Sequence, residues 1–492
     1  MATQTKPPGQ SDASLADDDL NRRQAIGYFA VAAASFLPLG AACAARANQQ
    51  FSPEMFGARG DGVADDYPAL ARLAAAVTRA GGGLVLFGRG KRYRVGQVQV
   101  TGGAERNDVS HISFEGCSDL TVDLNGSTID VRGDFHRGAD AEQGRQSFKS
   151  AVVPLRFSRC TDLAVRNGTM NGNAQLMTRD RSVSERAGHG IMLVSCSRVV
   201  LEDLHIHHFS SDGVYLRAGE DLRVCRDVAL NRLRLTNNAR QGLTVAGGAG
   251  IAATDCVFSE NGRTGGSYHH APGAGVDVEP SREYDARSDF RATRCRFDDN
   301  LGSPLVVGNP DLASNVELVD CSGRRSTQGR LNLASERAIV RGGTWHNIQI
   351  ACAYGVNRAF RSRVAIEVSG ATWTGDDPAW SPVFDLSRQN PSVYIHGNRF
   401  QLRPPQPFTR TYLFQCANPN HRFEDNEIFV SRTGHDGADD DMVGQFSGAV
   451  VTGNSWATDL QAPLRFVNNY QGATRVERER FSGSFAATGA RL

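Results

Sequence analysis

Asp277 and Glu279 stand two residues apart in the phrase GVDVEP. On a β-strand, alternation puts both side chains on one face, with Cα atoms about 6.6 Å apart. Side-chain flexibility then brings either carboxylate spacing used in glycosidic-bond hydrolysis within reach. Like charges placed so close cost energy and ask for a reason. One acid, kept protonated by its charged neighbour, could donate to a leaving oxygen while the other activates water or attacks. The plain alternative is an exposed Asp-x-Glu pair that solvates a strand. Asp212 in SSDG is a third candidate acid, or else an ordinary turn aspartate. Arg217, Tyr215, Arg240 and Gln241 are candidate substrate-binding residues. Arginines would pair with uronate or other acidic groups. The stretch GRTGGSYHHAPGA could bring Tyr268, His269 and His270 over the same patch.

These residues need a scaffold, and the sequence repeats in a way that supplies one. A short phrase returns: a glycine or turn residue, then apolar, variable, apolar. It begins at Gly190, Gly213, Gly242, Gly275, Pro304 and Arg330. The apolar pairs are Ile191/Leu193, Val214/Leu216, Leu243/Val245, Val276/Val278, Leu305/Val307 and Leu331/Leu333. Alternation means a strand with one buried face. The intervals are too short for a helix in every repeat. They fit a solenoid in which each coil gives several short strands and stacks on the next. Aligned on these pairs, the central outward position reads Met192, Tyr215, Thr244, Asp277, Val306, Asn332. The next outward position reads Val194, Arg217, Ala246, Glu279, Gly308, Ala334. Asn238, Asn261 and Asn300 fall at one turn of successive coils, where an asparagine can bond the next coil's backbone. Val199–Leu201, Leu204–Ile206 and Val214–Leu216 make three strands in one turn. The fold class is therefore all-β: a single-stranded parallel β-helix, right-handed by the usual crossover rule.

Phe56–Asp66 reads FGARGDGVADD, followed by an alanine-rich helical run over Pro68–Ala80, three glycines, a strand at Leu84–Phe87 and KRYRV at Lys91–Val95. This resembles the N-terminal cap of the pectate-lyase superfamily of β-helix proteins and is similar to the polygalacturonase, phage tailspike and glucanase families. The resemblance implies a short capping helix over the open apolar end of the solenoid, as terminal repeats require. It says little about the reaction, since such families hydrolyse, eliminate or epimerise. His189 in GHG resembles a histidine-glycine motif of polygalacturonases, but the aspartate motifs that should precede it are missing. The expected organisation is an export signal over residues 1–47, cap and first strands over 48–110, β-helix over 111–460, and a C-terminal cap or tail over 461–492.

Of 492 residues, 54 are basic and 53 acidic, for a net charge of +1. That balance argues against nucleic acid held by bulk charge. Fifty-two glycines suit many tight turns. Lysine occurs only at Lys6, Lys91 and Lys149, so a lysine-based mechanism has few candidates. Asn21-Arg22-Arg23-Gln24 precedes an uncharged run over Ala25–Ala45. This resembles a twin-arginine export signal, with an uncleaved membrane anchor as the alternative. No other run is long and apolar enough to span a membrane, so the mature chain is expected to be periplasmic or secreted. Cys117, Cys160 and Cys196 open the similar phrases CSDLTV, CTDLAV and CSRVVL, and Cys225, Cys256, Cys295 and Cys321 continue at comparable intervals. One small apolar side chain per repeat reads as a buried stack of free thiols, with paired disulfides as the alternative.

No metal site is expected. His205 and His207 share a strand face beside His208, which reads as a polar strand face before a metal pair. Asp436–Asp441 lacks calcium-loop spacing and reads as a solvated loop. Three function classes follow. The first is a polysaccharide hydrolase using Asp277, Glu279 and Asp212, which requires no cofactor. The second is a lyase or C5-epimerase on uronic-acid polymers, in which arginine or Ca²⁺ neutralises the substrate carboxylate. The third is a non-catalytic glycan-binding protein using the same surface. β-Helix proteins occur as monomers and as trimers, and this chain is expected to be one or the other.

Overall fold

The computed structural model describes residues 49–96, 112–132, 153–176, 188–266, 269–308, 312–333, 335–351, 365–376, 384–386, 392–403, 413–416, 419–431, 442–461, 463–466 and 474–487. The expected export signal, Tyr268 and Asp436–Asp441 lie outside these residues. The described residues form forty strands in one network, and every pairing is parallel. Three ladders run along the molecule. The first stacks Leu155, Ile191, Val214, Leu243, Val276, Leu305 and Leu331. The second stacks Leu163, Val199, Val228 and Ile251. The third stacks Met170, Ile206, Leu235 and Phe258. The expected alignment of the outward column is therefore the observed register, with Met192, Tyr215, Thr244, Asp277 and Val306 as successive partners. The two strands expected at Val199–Leu201 and Leu204–Ile206 form one bent strand, Ser197–His207, which turns from the second ladder to the third at Asp203 (φ 52°).

The interior is filled. Phe258, Phe297, Trp345, Trp373, Phe400 and Phe423 stack in succession at centroid separations of 5.2–6.4 Å. At Trp345, Trp373 and Phe400 successive coils carry a ring at the same ladder position, which brings each ring over the next. Cys117, Cys160, Cys196, Cys225, Cys256, Cys295 and Cys321 form the expected thiol stack, free and buried, and no disulfide occurs among the described cysteines. Cys256 Sγ donates to the Leu230 carbonyl of the preceding coil at 3.3 Å, so the thiols are satisfied by backbone.

The cap helix spans Tyr67–Ala80 and buries Ala69, Leu70, Leu73, Ala74 and Val77, a spacing that makes one apolar stripe. Gly81 ends it in the left-handed region, where its N–H returns to Val77 and Thr78. At the other end, Leu464–Phe466 pairs with Phe485–Ala487 in the first ladder. The described part of the expected C-terminal cap is thus one more coil.

Asn238, Asn261 and Asn300 form a ladder at the corner between the third and first sheets. The side-chain carbonyls of Asn261 and Asn300 each accept from the preceding asparagine's backbone and side-chain N–H, at 3.0–3.2 Å. The next sharp constraint is a column of glycines. A Cβ on Gly242 would lie 2.8 Å from the Gly275 carbonyl oxygen and 3.0 Å from Asn261 Nδ2. Gly242→Ala is therefore expected to cost about 1–3 kcal/mol through forced separation of two coils, read as a lowered midpoint in urea.

Candidate active site

The glycine column divides two sets of side chains at one corner. Before it come His189, Asp212 and Gln241, in equivalent places of three coils: Gly190 N–H donates to Asp212 O and Gly213 N–H to Gln241 O, both at 3.0 Å. After it come Tyr215, Thr244 and Asp277. Because the glycines let adjacent backbones close up, the two sets meet over them.

Asp212 is fully buried. Arg240 donates to both its oxygens, Nε to Oδ1 at 2.8 Å and Nη2 to Oδ2 at 2.7 Å. The Gln241 backbone N–H adds a bond to Oδ1 at 3.2 Å and the Thr244 hydroxyl one to Oδ2 at 3.0 Å. A carboxyl group bound by this many donors serves as an anchor. Asp212, expected as a third acid, is held in place by these four contacts. His189 Nδ1 lies 3.2 Å from Asp212 Oδ2 without the alignment of a hydrogen bond. Its ring stacks on Tyr215 at 4.5 Å and 7°.

Asp277, expected at an outward position, is 4% exposed, which is against the alternative of a solvating pair. Its Oδ2 accepts from Gln241 Nε2 at 2.8 Å, while its Oδ1 has no protein partner. Burial pushes its pKa up to about 7; the charge of Glu279 adds to the rise, and Arg240 and Gln241 oppose it. Glu279, one residue past the strand Val276–Val278, is exposed. The two carboxyl groups thus interact as expected but in unlike surroundings, one dry and one wet.

Met192, Thr244 and Asp277 in the outward column are all buried, so the face expected to be open is covered at this corner. Tyr215 packs against the cluster of Val153, Met192 and Val194. Burial pushes its phenol well up, so that it donates rather than withdraws protons near neutrality. Arg217 donates Nε to Ala218 O at 2.9 Å, and its charge reaches Tyr215 and Tyr284. Arg240 and Gln241, expected to meet substrate, instead hold Asp212 and Asp277. His270 N–H donates to Ala239 O at 2.7 Å, which seats this loop beside Arg240. His269 is half-buried, and its Nδ1 is without a protein partner. No described contact joins His269 or His270 to Asp277.

Four buried polar atoms of this corner's residues and their chain neighbours have no hydrogen-bond partner within the described protein: His189 Nδ1, Ser211 Oγ, Gln241 Oε1 and Asp277 Oδ1. Buried polar atoms are normally paired, so such a concentration marks a place built to meet something other than the protein. Sequence reasoning set His189 aside, although it precedes Ile191 by the same two residues as Asp212 precedes Val214. Thr244 stood in the aligned column but carried no charge to draw notice. Tyr284 lies in a loop outside the repeat.

On the third sheet, His205 and His207 have ring centroids 4.3 Å apart, and His207 and His208 are 4.9 Å apart. Burial pushes His205 down to about 4 and His207 to about 3. Among the described residues no three His, Cys, Asp or Glu side chains are placed to hold a metal ion. Nor is any described helix long and apolar enough to cross a membrane.

A family model described as a right-handed β-helix region matches residues 95–282 and 169–354, which together cover more than half of the chain. A Bacillus subtilis (strain 168) protein, YclG, is 26% identical over 132 residues, which is 24% of this chain and 22% of that protein. Among solved structures, the A-module of the Azotobacter vinelandii mannuronan C-5 epimerase AlgE6 is similar at TM-score 0.45 and 13% identity, covering 88% of this chain and 99% of that one. The Streptococcus pneumoniae surface adhesin PfbA gives TM-score 0.47 and 11% identity, covering 89% and 93%. The catalytic unit of a GH87 alpha-1,3-glucanase from Streptomyces thermodiastaticus strain HF3-3 gives 0.37 and 13%, covering 92% and 69%.

Proposed function

The chain belongs to the right-handed parallel β-helix family, and on that premise we propose that it is an exported carbohydrate-active enzyme that cleaves glycosidic bonds of a polysaccharide, by hydrolysis ahead of elimination. The observation that carries this reading is Asp277, a buried carboxyl titrating near 7 with one oxygen clamped by Gln241 and the other unpartnered, beside the exposed carboxylate of Glu279. Split environments of this kind assign the acid and the base. Asp277 gives its proton to the leaving glycosidic oxygen as the C–O bond breaks. Glu279 either takes a proton from the attacking water or attacks the anomeric carbon itself. In this reading Arg217 would pair with an acidic group on the polymer. Hydrolysis here requires no cofactor.

A second reading, elimination or C5 epimerisation of a uronate, is favoured by the buried His189–Tyr215 stack in the same corner. There His189 would take the proton beside the substrate carboxylate and Tyr215 would donate. Calcium would serve only that chemistry. The free, buried thiols are compatible with export if the chain folds before it reaches an oxidising compartment.

The test is to incubate the purified protein with acidic and neutral polysaccharides, following reducing ends and the ultraviolet absorbance of unsaturated uronates together. Reducing ends without absorbance support hydrolysis. Both signals rising would replace it with elimination, and neither signal on any polymer would leave the enzyme reading without support.

A further inference from the structure

A second recognition surface lies further along the solenoid, on the outer face of the third sheet. His346, Thr374, Gln401, Phe429 and Ala457 are successive partners in the ladder and all point outward. Four steps of about 4.8 Å make this column roughly 19 Å long. It lines a groove of about 710 Å³, within the size range of small-ligand sites (about 300–1,000 Å³). Phe400 and Ile428, both buried in the core, form part of its floor.

The lining has no dominant sign. Arg399 lies 3.8 Å from Glu427, and His346 Nε2 lies 3.3 Å from Asp376 Oδ1. A polyanion would call for surplus cation along the groove. An amphipathic helix would call for a continuous apolar stripe, and only Phe429 and Ala457 interrupt the polar column. Alternating donors and acceptors around one half-buried ring instead match a polyol. Gln401 and Arg403 make no side-chain hydrogen bond within the described protein, which leaves both available to hydroxyl groups. The face of Phe429 suits the slightly positive C–H face of a sugar ring.

We propose that this groove binds a neutral polysaccharide chain laid along the solenoid axis and tethers the protein to it. It is separate from the Asp277 corner, on a different sheet and in later coils, and does not depend on the catalytic reading. No buried carboxyl with a free oxygen faces it among the described residues, so it holds polymer without cleaving it.

The experiment is native electrophoresis of the purified protein through gels containing hydroxyethylcellulose, polygalacturonate or neither. Migration is expected to slow in the neutral polymer. Phe429→Ala is expected to weaken this binding about tenfold, as loss of a central aromatic anchor does. Phe429→Trp is expected to retain it, and unfolding midpoints report whether each variant is folded. Retardation unaffected in a folded Phe429→Ala protein overturns the proposal. So does retardation by polygalacturonate alone, or by neither polymer. None of these readouts needs turnover, so this proposal and the catalytic one fail separately.

Discussion

Asp277→Asn is expected to lower kcat/KM on the cleaved polymer by about 10²–10⁴-fold and, in the same protein, to raise stability at alkaline pH. Both effects come from one carboxyl held in a dry corner with its Oδ1 unpartnered. In the folded chain it keeps its proton up to about 7. In the unfolded chain it releases the proton near 3.9. Between those values folding takes up a proton, so stability falls as pH rises through the window. Above it the full cost applies, roughly 3 pK units or on the order of 4 kcal/mol. Asparagine keeps the shape and the acceptor for Gln241 but cannot ionise. Unfolding curves of the two proteins should therefore coincide near pH 4 and separate by pH 8, with the variant the more stable. A variant less stable at pH 8 would mean that the ionised carboxylate is paired in the native state. The wild-type kcat/KM should fall as pH rises past about 7, the limb set by the acid.

Asp212→Asn should do the opposite to stability. Its four donor contacts include both arms of Arg240, whose side chain is only 13% exposed. A neutral amide cannot balance that guanidinium, and its own N–H₂ would have to face a donor. Breaking one side of a buried ion pair costs about 3–5 kcal/mol. The contrasting pair is Arg198–Asp162, bidentate at 2.6 and 2.7 Å but 59% and 40% exposed. Asp162→Asn is expected to cost about 0–1 kcal/mol, because water already screens that pair. Chemical denaturation of the two variants beside wild type decides whether Asp212 anchors the corner or merely decorates it.

The strand register was legible because a period of two is unforgiving: one slip would bury the outward set. A glycine or turn residue before each apolar pair marked where to align, and the recurring cysteines and asparagines checked it. After Trp345 the same logic lost its markers, since no glycine stands directly before the first-sheet strands Phe384–Leu386 and Phe414–Cys416. The candidate site was legible in its column and not in its depth. Asp277, Tyr215 and Thr244 could be lined up from spacing alone. That Asp277 is dry depends on Arg240 and Gln241 folding over from the neighbouring turn, a contact between coils that no periodicity records. His189 was missed for a related reason: its partners, Asp212 and Tyr215, belong to the next coil. The groove around Phe429 had no sequence signature, because outward positions on a solvated sheet obey no apolar rhythm.

The glycine column has a consequence for how such a molecule could change over generations. At one backbone position a side chain is barred, yet on either side of it successive coils carry His, Asp and Gln, and then Met, Tyr, Thr and Asp. The corner thus behaves like a rack with fixed pegs and interchangeable tools. Each coil touches only its neighbours, so exchanging one tool leaves the rest of the rack standing. A duplicated coil would arrive with its own glycine and asparagine and fit at once. Inserted between the coils of Asp212 and Asp277, it would also move these two acids about 4.8 Å further apart. New chemistry at this corner can therefore come from copying whole coils as readily as from changing single residues.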